Sequence, residues 1–370
     1  MSTKILAVVG TRPEAIKMAP VILALRNEPW ADLRVLATAQ HRQMLDQVFS
    51  WFGIDADIDL NIMRPRQSLP QLTARLMTGL DEVLEREEPA AVLAQGDTTS
   101  VMTTALGCFY RNIPFGHVEA GLRSGDLASP FPEEANRVVA GMFARWHFAP
   151  TEQAKQNLLA ASISEDDIDV TGNTVIDALL ETSRRDPDIG IELDSEKPLV
   201  LITAHRRENF GRPFEQVCAA LSDLARRNPG IQFLYPVHPN PNVREIAYRT
   251  LSNLANFILC EPLDYASFVA AMKRALFIIS DSGGVQEEAP ALATPVLVLR
   301  EETERPEAVQ AGVVKLVGTD HGRIVAEAQD LIDDPDTRAA MALGISPFGD
   351  GNAAVRIVSR LRAHFAGKND

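Results

Sequence analysis

Residues 4–20, KILAVVGTRPEAIKMAP, decide the fold because they join a buried strand to a helix through a short turn. The first part, KILAVV, is almost continuously apolar, which is typical of a parallel strand that is covered on both faces. Pro13 suits the first position of a helix, and Gly10 precedes it at the turn. The N-terminus of such a helix favours an anion, and Arg12 and Lys17 add positive charge beside it. The alternative is a plain strand–turn–helix whose Arg12 and Lys17 are only solvated.

Similar apolar runs recur along the chain, with helix-length segments between them. Six runs lie in each half, namely KILAVV, LRVLAT, AAVLAQ, PFGHV, RWHFA and DIDVTG, then PLVLITA, IQFLYPV, NFILCE, LFIIS, PVLVL and VVKLV. Strands that alternate with helices imply βαβ crossovers and therefore parallel sheets. We predict an α/β protein of two doubly wound, Rossmann-like domains.

The segment DPDIGIELDSEKP is polar, contains two prolines and lacks periodicity, so it suits a linker near the domain boundary. We assign residues 1–172 to an N-terminal domain and residues 173–352 to a C-terminal, nucleotide-binding domain. A last helix, at about residues 353–370, is predicted to pack back on the first domain.

The composition excludes several classes of protein. A net charge of −14 argues against general binding to DNA, RNA or anionic membranes, although a local cluster of Arg and Lys can still attract phosphate. No apolar stretch approaches the ~18 residues of a membrane span. The N-terminal run is too short for a secretory signal, so we predict a cytoplasmic protein. Cys108, Cys218 and Cys260 lie far apart, and the histidines form no HxxxH pair, so neither a disulfide nor a metal site is predicted.

Carboxylates follow three neighbouring strands of the first half. Asp97 ends AAVLAQGD, Glu119 ends FGHVE, and Glu133 opens the helix in PEEANR. Each acid alone has a structural explanation. Asp97 could cap the next helix, and the helix dipole could stabilise Glu133 and Glu134 in the first turn of theirs. Those roles do not explain three carboxylates at one sheet edge, which is where open α/β sheets bind ligands. If the two sheets face each other, all these loops converge on one central cleft between the domains.

The second half also places polar groups after its strands. His205 in TAHRREN could bridge a diphosphate or protonate a leaving oxygen, although a loop histidine is often only solvated. In DSGGVQEEAP, Gly283 and Gly284 let the backbone approach a pyrophosphate, and Glu288 could accept ribose hydroxyls. A plain helix cap is the alternative. Neither GxGxxG nor GxxxxGK[ST] occurs, which argues against a dinucleotide site and a P-loop.

These motifs together resemble those of the bacterial non-hydrolysing UDP-N-acetylglucosamine 2-epimerases. The resemblance runs in order from residue 10 to about residue 310, through GTRPEAIKMAP, QHRQMLDQV, GDTT, HVEAGLRS, PEEANR, GNTVIDAL, HRREN, PVHPNP, PLDY, DSGGVQEEAP and TERPEAV. It implies a GT-B-like fold, a homodimer, and interconversion of UDP-GlcNAc and UDP-ManNAc for envelope polysaccharides.

The resemblance also implies roles for individual residues. Asp97, Glu119, Glu133 and His205 match the catalytic positions. The positions that match substrate contacts are Arg12, Lys17, Arg137, Leu263, Phe268, Ser282, Gly283, Gly284, Glu288 and Arg305. Some members bind a second UDP-GlcNAc as activator, and the matching positions are Gln40, His41, Gln43, Arg66 and His238. Glu301 and Glu302 depart from the Asp-Thr that the family often has.

The chemistry of the implied reaction explains the number of acids. The hydrogen at C2 of the sugar has no adjacent carbonyl, so the expected route expels UDP from C1 while a base takes the C2 proton. This gives a glucal intermediate, and UDP, retained as the leaving group, adds back while a proton reaches the opposite face of C2. The route needs no nicotinamide or metal cofactor. A retaining glycosyltransferase, a hydrolysing epimerase and a non-catalytic sensor of sugar nucleotides are the alternatives.

Overall fold

A computed structural model describes residues 2–38, 42–64 and 66–366 of the chain, and for residues 42–44 and 366 it describes the backbone alone. Gln40 and His41, which were predicted to bind an activator, lie outside the described residues, as does the side chain of Gln43. The chain divides into two compact units, Met1–Ala178 with Phe348–Asp370, and Leu179–Pro347.

The first unit contains a sheet of seven parallel strands. The elements up to residue 184 are, in chain order, β1 (Thr3–Val9), α1 (Arg12–Arg26), β2 (Ala31–Ala37), α2 (Arg42–Phe52), β3 (Ile58–Asp59), α3 (Leu69–Glu87), β4 (Ala91–Gln95), α4 (Thr99–Tyr110), β5 (Phe115–Val118), α5 (Glu133–Phe143), β6 (Trp146–Ala149), α6 (Glu152–Ala160), β7 (Ile168–Val170) and α7 (Thr174–Arg184). The strand order is β3-β2-β1-β4-β5-β6-β7, so the winding direction reverses between β1 and β4.

The second unit repeats this architecture with six parallel strands. Its elements are β8 (Leu199–Thr203), α8 (Arg212–Arg227), β9 (Gln232–Pro236), α9 (Pro241–Leu251), β10 (Phe257–Cys260), α10 (Tyr265–Arg274), β11 (Ala275–Ser280), α11 (Gly283–Glu288), β12 (Val296–Val298), α12 (Pro306–Gln310), β13 (Val314–Leu316), α13 (His321–Asp333) and α14 (Pro335–Met341). The order β10-β9-β8-β11-β12-β13 reverses between β8 and β11.

Each of the twelve apolar runs that predicted a strand forms one. In β4 and β8 every residue is buried, because helices cover a doubly wound sheet on both faces. The sequence analysis missed β3, which has two residues at the edge of the first sheet and is too short to show a pattern. Two Rossmann-like domains are therefore confirmed.

The last helix, α15 (Ala353–Ala366), belongs to the first unit. The Asp177 carboxylate accepts the backbone N–H groups of Ala353 at 3.2 Å and Ala354 at 2.9 Å. Near the other end of α15, Phe365 stacks on Trp30 with a centroid distance of 6.1 Å. Because Asp177 lies in α7 and caps α15, the first unit extends to Ala178, whereas the sequence placed the boundary after residue 172.

None of the helices in the described part of the chain is long and apolar enough to cross a membrane.

Gly121 offers a test of how the loop after β5 packs. Its φ is +91°, and a Cβ there would lie 2.3 Å from the backbone oxygen of Ala154. We expect Gly121→Ala to lower the free energy of unfolding by about 2–4 kcal/mol. The new methyl group would require the backbone of the loop or of α6 to shift. Urea unfolding followed by circular dichroism measures the loss.

Gly125→Ala is the matched control for this substitution. Gly125 has a φ of +83° but open space around its Cβ position, so only the backbone strain remains. We expect a loss of about 1–2 kcal/mol. Equal losses in the two variants would contradict the close approach of Gly121 to α6.

Candidate active site

Glu119 stands directly after β5 and adopts a φ of +64°, which is the left-handed region that disfavours a side chain. Such backbone strain costs about 1–3 kcal/mol and often occurs at functional sites. The Glu119 carboxylate accepts hydrogen bonds from Lys17 Nζ at 2.5 Å, from Asn173 Nδ2 at 2.7 Å, and from the Gln95 amide. These donors come from α1, the loop after β7 and the end of β4, and together they fix both carboxylate oxygens in place.

Asp97 lies in the turn between β4 and α4 and pairs with Arg137 of α5, with 2.5 Å between Oδ2 and Nη2. Its backbone oxygen accepts a hydrogen bond from the Asn136 amide at 2.9 Å. Burial raises the pKa of Asp97, the charge of Arg137 opposes that shift, and the nearby charge of Glu119 adds to it. The helix cap that the sequence offered as an alternative role belongs to Thr98, whose hydroxyl accepts the N–H of Val101.

The two glutamates that open α5 differ in their surroundings. Glu134 is buried, lies 3.2 Å from Arg137 and accepts the N–H of Gly125 at 3.3 Å. Glu133 is half-buried at the first helical position. The structure thus brings Asp97, Arg137 and Glu134 together, whereas it shows no hydrogen bond from Glu133 to the other predicted acids in the described part of the chain.

A buried carboxylate that the sequence analysis missed lies behind these groups. Glu14 accepts the backbone N–H groups of Gly10 and Thr11 at 2.5 and 2.8 Å, and the hydroxyl of Thr98 at 2.5 Å. Burial raises the pKa of Glu14 to about 7, although those three hydrogen bonds oppose the shift. The signal in the sequence was the capping box of α1, in which Thr11 is followed three residues later by Glu14.

His117 is a second group that the sequence analysis missed, on β5 two residues before Glu119. Its Nε2 lies 2.7 Å from the backbone oxygen of Gly96, so it fixes the turn that carries Asp97. Burial lowers the pKa of His117 to about 4, so the imidazole is neutral at pH 7. A neutral ring that meets a carbonyl oxygen carries its proton on Nε2 and acts as the donor.

In the second unit, His205 follows β8 and meets the buried Asp281, which follows the neighbouring strand β11. Asp281 Oδ2 accepts the backbone N–H groups of His205 and Arg206, each at 2.8 Å. The His205 ring stacks on His238, with 5.3 Å between centroids and 9° between the ring planes. His238 had been assigned only to the activator site, so its contact with His205 is a finding of the structure.

The predicted pyrophosphate segment also lies at the carboxyl edge of the second sheet. Ser282 precedes α11, and a Cβ on Gly283 would lie 2.9 Å from the Arg305 guanidinium, so a larger residue there would require the Arg305 side chain to shift. Arg305 Nε pairs with Glu287 Oε1 at 2.7 Å. A Cβ on Gly284 would meet Glu288 Oε2 only at 3.8 Å, which leaves Gly284 more open than Gly283.

The remaining predicted contacts are spread over both units. Arg12 is the first residue of α1 and is half-buried. Leu263 and Phe268 flank the start of α10 and are half-buried as well. Arg66 is exposed and has a φ of +58°. In the ranges that the structure describes, no cluster of three His, Cys, Asp or Glu side chains could hold a metal ion.

The fold and these side chains define an α/β protein of two Rossmann-like units, each with charged groups at the carboxyl edge of its sheet. A family model described as UDP-N-acetylglucosamine 2-epimerase matches residues 23–362, and the chain belongs to that family. The family resemblance that the motifs predicted is therefore confirmed.

The chain is similar to relatives from bacteria and archaea over nearly its whole length. It is 50% identical to the UDP-N-acetylglucosamine 2-epimerase of Escherichia coli K12, over 97% of this chain and 98% of that one. The structure of the Neisseria meningitidis UDP-GlcNAc 2-epimerase bound to UDP-GlcNAc has a TM-score of 0.88 and 48% identity, covering 97% of this chain and 99% of that one. The structure of the Methanocaldococcus jannaschii UDP-GlcNAc 2-epimerase in complex with UDP-GlcNAc and UDP has a TM-score of 0.80 and 32% identity. It covers 98% of this chain and 100% of that one. These likenesses confirm the predicted GT-B-like fold class.

Glu14 makes the stability of the protein depend on pH. Because its pKa rises from 4.5 to about 7 on folding, its contribution to stability is full below pH 4.5 and is lost as the pH rises to 7. Glu14→Gln keeps an acceptor for the two backbone N–H groups but cannot ionise. The free energy of unfolding of the wild type, relative to this variant, should therefore fall between pH 4.5 and 7, by up to about 3 kcal/mol.

Chemical denaturation at several pH values measures this difference. Glu82→Gln, which changes an exposed glutamate of α3, is the control and should give a curve parallel to the wild type. A difference between wild type and Glu14→Gln that is constant from pH 4.5 to 7 would show that Glu14 does not titrate in this range.

Proposed function

We propose that the protein interconverts UDP-GlcNAc and UDP-ManNAc by reversible epimerisation at C2. Membership of the family and the relatives named for this activity support the proposal. The observation that carries it is the pair of fixed acid groups, Asp97 and Glu119, at the carboxyl ends of neighbouring strands. Inversion at C2 needs a group that removes a proton from one face of the sugar and a group that delivers one to the other face.

The proposed reaction proceeds by elimination and re-addition. A base takes the C2 proton, the C2–H electrons form a C1=C2 double bond, and the C1–O electrons leave with UDP. The product of this step is a 2-acetamidoglucal. UDP then adds back at C1 while C2 receives a proton on the opposite face, so no atom or electron is lost and no cofactor is consumed. The enzyme is thus a non-hydrolysing isomerase.

The surroundings of the acids suit this chemistry. Burial raises the pKa of Asp97, which favours its protonated form and so its use as a proton donor. Glu119 is held by Lys17, Asn173 and Gln95, and this support keeps the carboxylate from turning away. Glu133 at the start of α5 is the third proposed acid.

We assign the nucleotide to the positions that match substrate contacts in the family. Arg12, His205 and Arg305 supply positive charge or hydrogen-bond donors for the diphosphate, and Ser282, Gly283 and Gly284 supply backbone N–H groups. Glu288 accepts the ribose hydroxyls, and Leu263 and Phe268 hold the uracil. Lys17 and Arg137 pair with Glu119 and Asp97, and we assign them to substrate contacts beside these acids.

A second UDP-GlcNAc is proposed to act as activator. Arg66 and His238 are the described members of that proposed site, and Gln40, His41 and Gln43 complete it. The stacking of His238 on His205 supports a link between the activator and the proposed catalytic groups. A ligand bound at His238 would contact the ring that stacks on His205.

A homodimer is proposed from an apolar surface on the first unit. Phe109 and Tyr110 of α4 and Met142 of α5 are 56%, 66% and 69% exposed, which is unusual for side chains of this size. Phe109 also stacks on Phe143 with 4.7 Å between centroids, so the surface is continuous across the two helices. We propose that a second copy of the chain covers it.

The enzyme is further proposed to work in the cytoplasm, for envelope polysaccharides.

Incubation with UDP-GlcNAc in D₂O tests the function. Proton NMR should show the anomeric signal of UDP-ManNAc, with deuterium at C2 of the product. The acid that delivers a proton to C2 exchanges its own proton with the solvent and therefore delivers deuterium. Free ManNAc and UDP would instead identify a hydrolysing epimerase. Retention of the original hydrogen would contradict the elimination route, and unchanged substrate would indicate a binding protein or a glycosyltransferase that lacks its acceptor.

The acids can be tested by substitutions that keep their size. Asp97→Asn, Glu119→Gln and Glu133→Gln should each lower kcat by roughly 10²-fold or more, as expected for lost acid–base catalysis. Glu152→Gln is a matched control, because Glu152 opens α6 as Glu133 opens α5 and is exposed. It should keep the wild-type kcat. Near-normal turnover in all three acid variants would exclude the proposed mechanism.

A further inference from the structure

Asp281 is a fully buried carboxylate that no motif argument had singled out. It follows β11, the strand that pairs with β8, and thus stands beside the loop that carries His205. Its Oδ2 accepts the backbone N–H groups of His205 and Arg206 at 2.8 Å, and the Asn209 amide lies 3.4 Å away. One carboxylate oxygen therefore anchors the backbone of the catalytic loop.

The other oxygen of Asp281 faces the His205 side chain. Oδ1 lies 3.7 Å from His205 Nδ1 and has no hydrogen-bond partner in the described part of the chain. Burying a carboxylate oxygen without a hydrogen bond costs free energy of folding. The backbone contacts of Oδ2 do not account for the burial of Oδ1, so Oδ1 is the oxygen that suggests a role towards His205. A small rotation of the imidazole would bring Nδ1–H within hydrogen-bonding distance, and catalytic hydrogen bonds are often long before the ligand binds.

One face of the His205 imidazole stacks on His238. The two rings are nearly parallel, at 9°, with 5.3 Å between their centroids. His238 Nδ1 accepts the backbone N–H of Asn240 at 3.1 Å, which fixes the His238 ring. The Tyr235 hydroxyl donates to the backbone oxygen of Ala204 at 2.6 Å, next to His205 in the chain. The His205 ring is therefore confined on one face and faces a carboxylate at Nδ1.

We propose that Asp281 is a positioning residue for His205, which it holds as the tautomer that carries its proton on Nδ1, while His238 restrains the ring plane. This rests on the proposed function, in which His205 serves the UDP leaving group. With Nδ1 committed to Asp281, Nε2 is the nitrogen that meets the departing oxygen. In the imidazolium form, Nε2 gives its proton to that oxygen and leaves a neutral ring whose remaining proton is on Nδ1; re-addition reverses the transfer.

The tautomer can be read without any assay of activity. In protein labelled with ¹⁵N-histidine, long-range ¹H–¹⁵N correlation spectra distinguish a protonated from an unprotonated ring nitrogen, and a His205→Gln sample identifies the His205 signals. Neutral His205 in the wild type should be protonated on Nδ1. A neutral ring that is mainly protonated on Nε2 would overturn the proposal, even if the enzyme is fully active.

Asp281→Asn tests the same idea kinetically. The asparagine oxygen can still accept the two backbone N–H groups, but an N–H₂ group can then face Nδ1 and favour the other tautomer. We expect kcat to fall roughly 10–100-fold with little change in KM, and the His205 signals to shift towards protonation on Nε2. Asp320→Asn, the same substitution at the exposed cap of α13, should leave kcat unchanged.

A double substitution separates positioning from general structural damage. If Asp281 acts through His205, adding Asp281→Asn to His205→Ala should cause no further loss of kcat. Additive losses would show that Asp281 serves structure alone. A wild-type protein without epimerase activity would contradict the proposed function, whereas the tautomer of His205 would still decide the role of Asp281.

Discussion

In each unit a buried carboxylate ties together the two loops at which the winding of the sheet reverses. In the first unit Glu14 accepts the backbone N–H groups of Gly10 and Thr11, after β1, and the Thr98 hydroxyl, after β4. In the second unit Asp281, after β11, accepts the backbone N–H groups of the loop after β8. At a switch point the neighbouring crossover helices diverge and leave a crevice, and these hydrogen bonds join the two loops that border it. The side chains proposed to react, Asp97 and His205, stand on the loops that are tied.

Burial has opposite effects on the groups at this edge of the first sheet. It raises the pKa of Glu14 to about 7 and that of Asp97 above its usual range, while it lowers the pKa of His117 to about 4. Burial thus favours the uncharged form in each case, and only ion pairs and hydrogen bonds oppose it. For Asp97 the ion pair with Arg137 supplies that opposition.

The sequence predicted the strands well because a parallel strand that is covered on both faces must be apolar throughout. The strand it missed, β3, has only two residues. The positions of Asp97, Glu119 and His205 just after strands could be predicted because a polar residue that follows a buried strand is conspicuous, whereas their roles stay predictions. Glu14, Gln95 and Asn173 could not be predicted, because their importance arises from contacts between residues far apart in the chain, such as Asn173 with Glu119.

Asp281 opens the DSGG motif, yet its contacts with His205 and Arg206 could not be predicted from the sequence. Its neighbours in the chain favour a phosphate-binding turn, which gives no sign of contacts to another loop. Its actual partners are 75 and 76 residues earlier, on the adjacent strand's loop. Asp281 fixes the backbone of this loop with one oxygen and faces the His205 ring with the other, so it couples the position of the loop to the orientation of that side chain. If His205 is the proton donor of the proposed elimination and re-addition, that coupling would keep the donor aligned in both directions of the reaction.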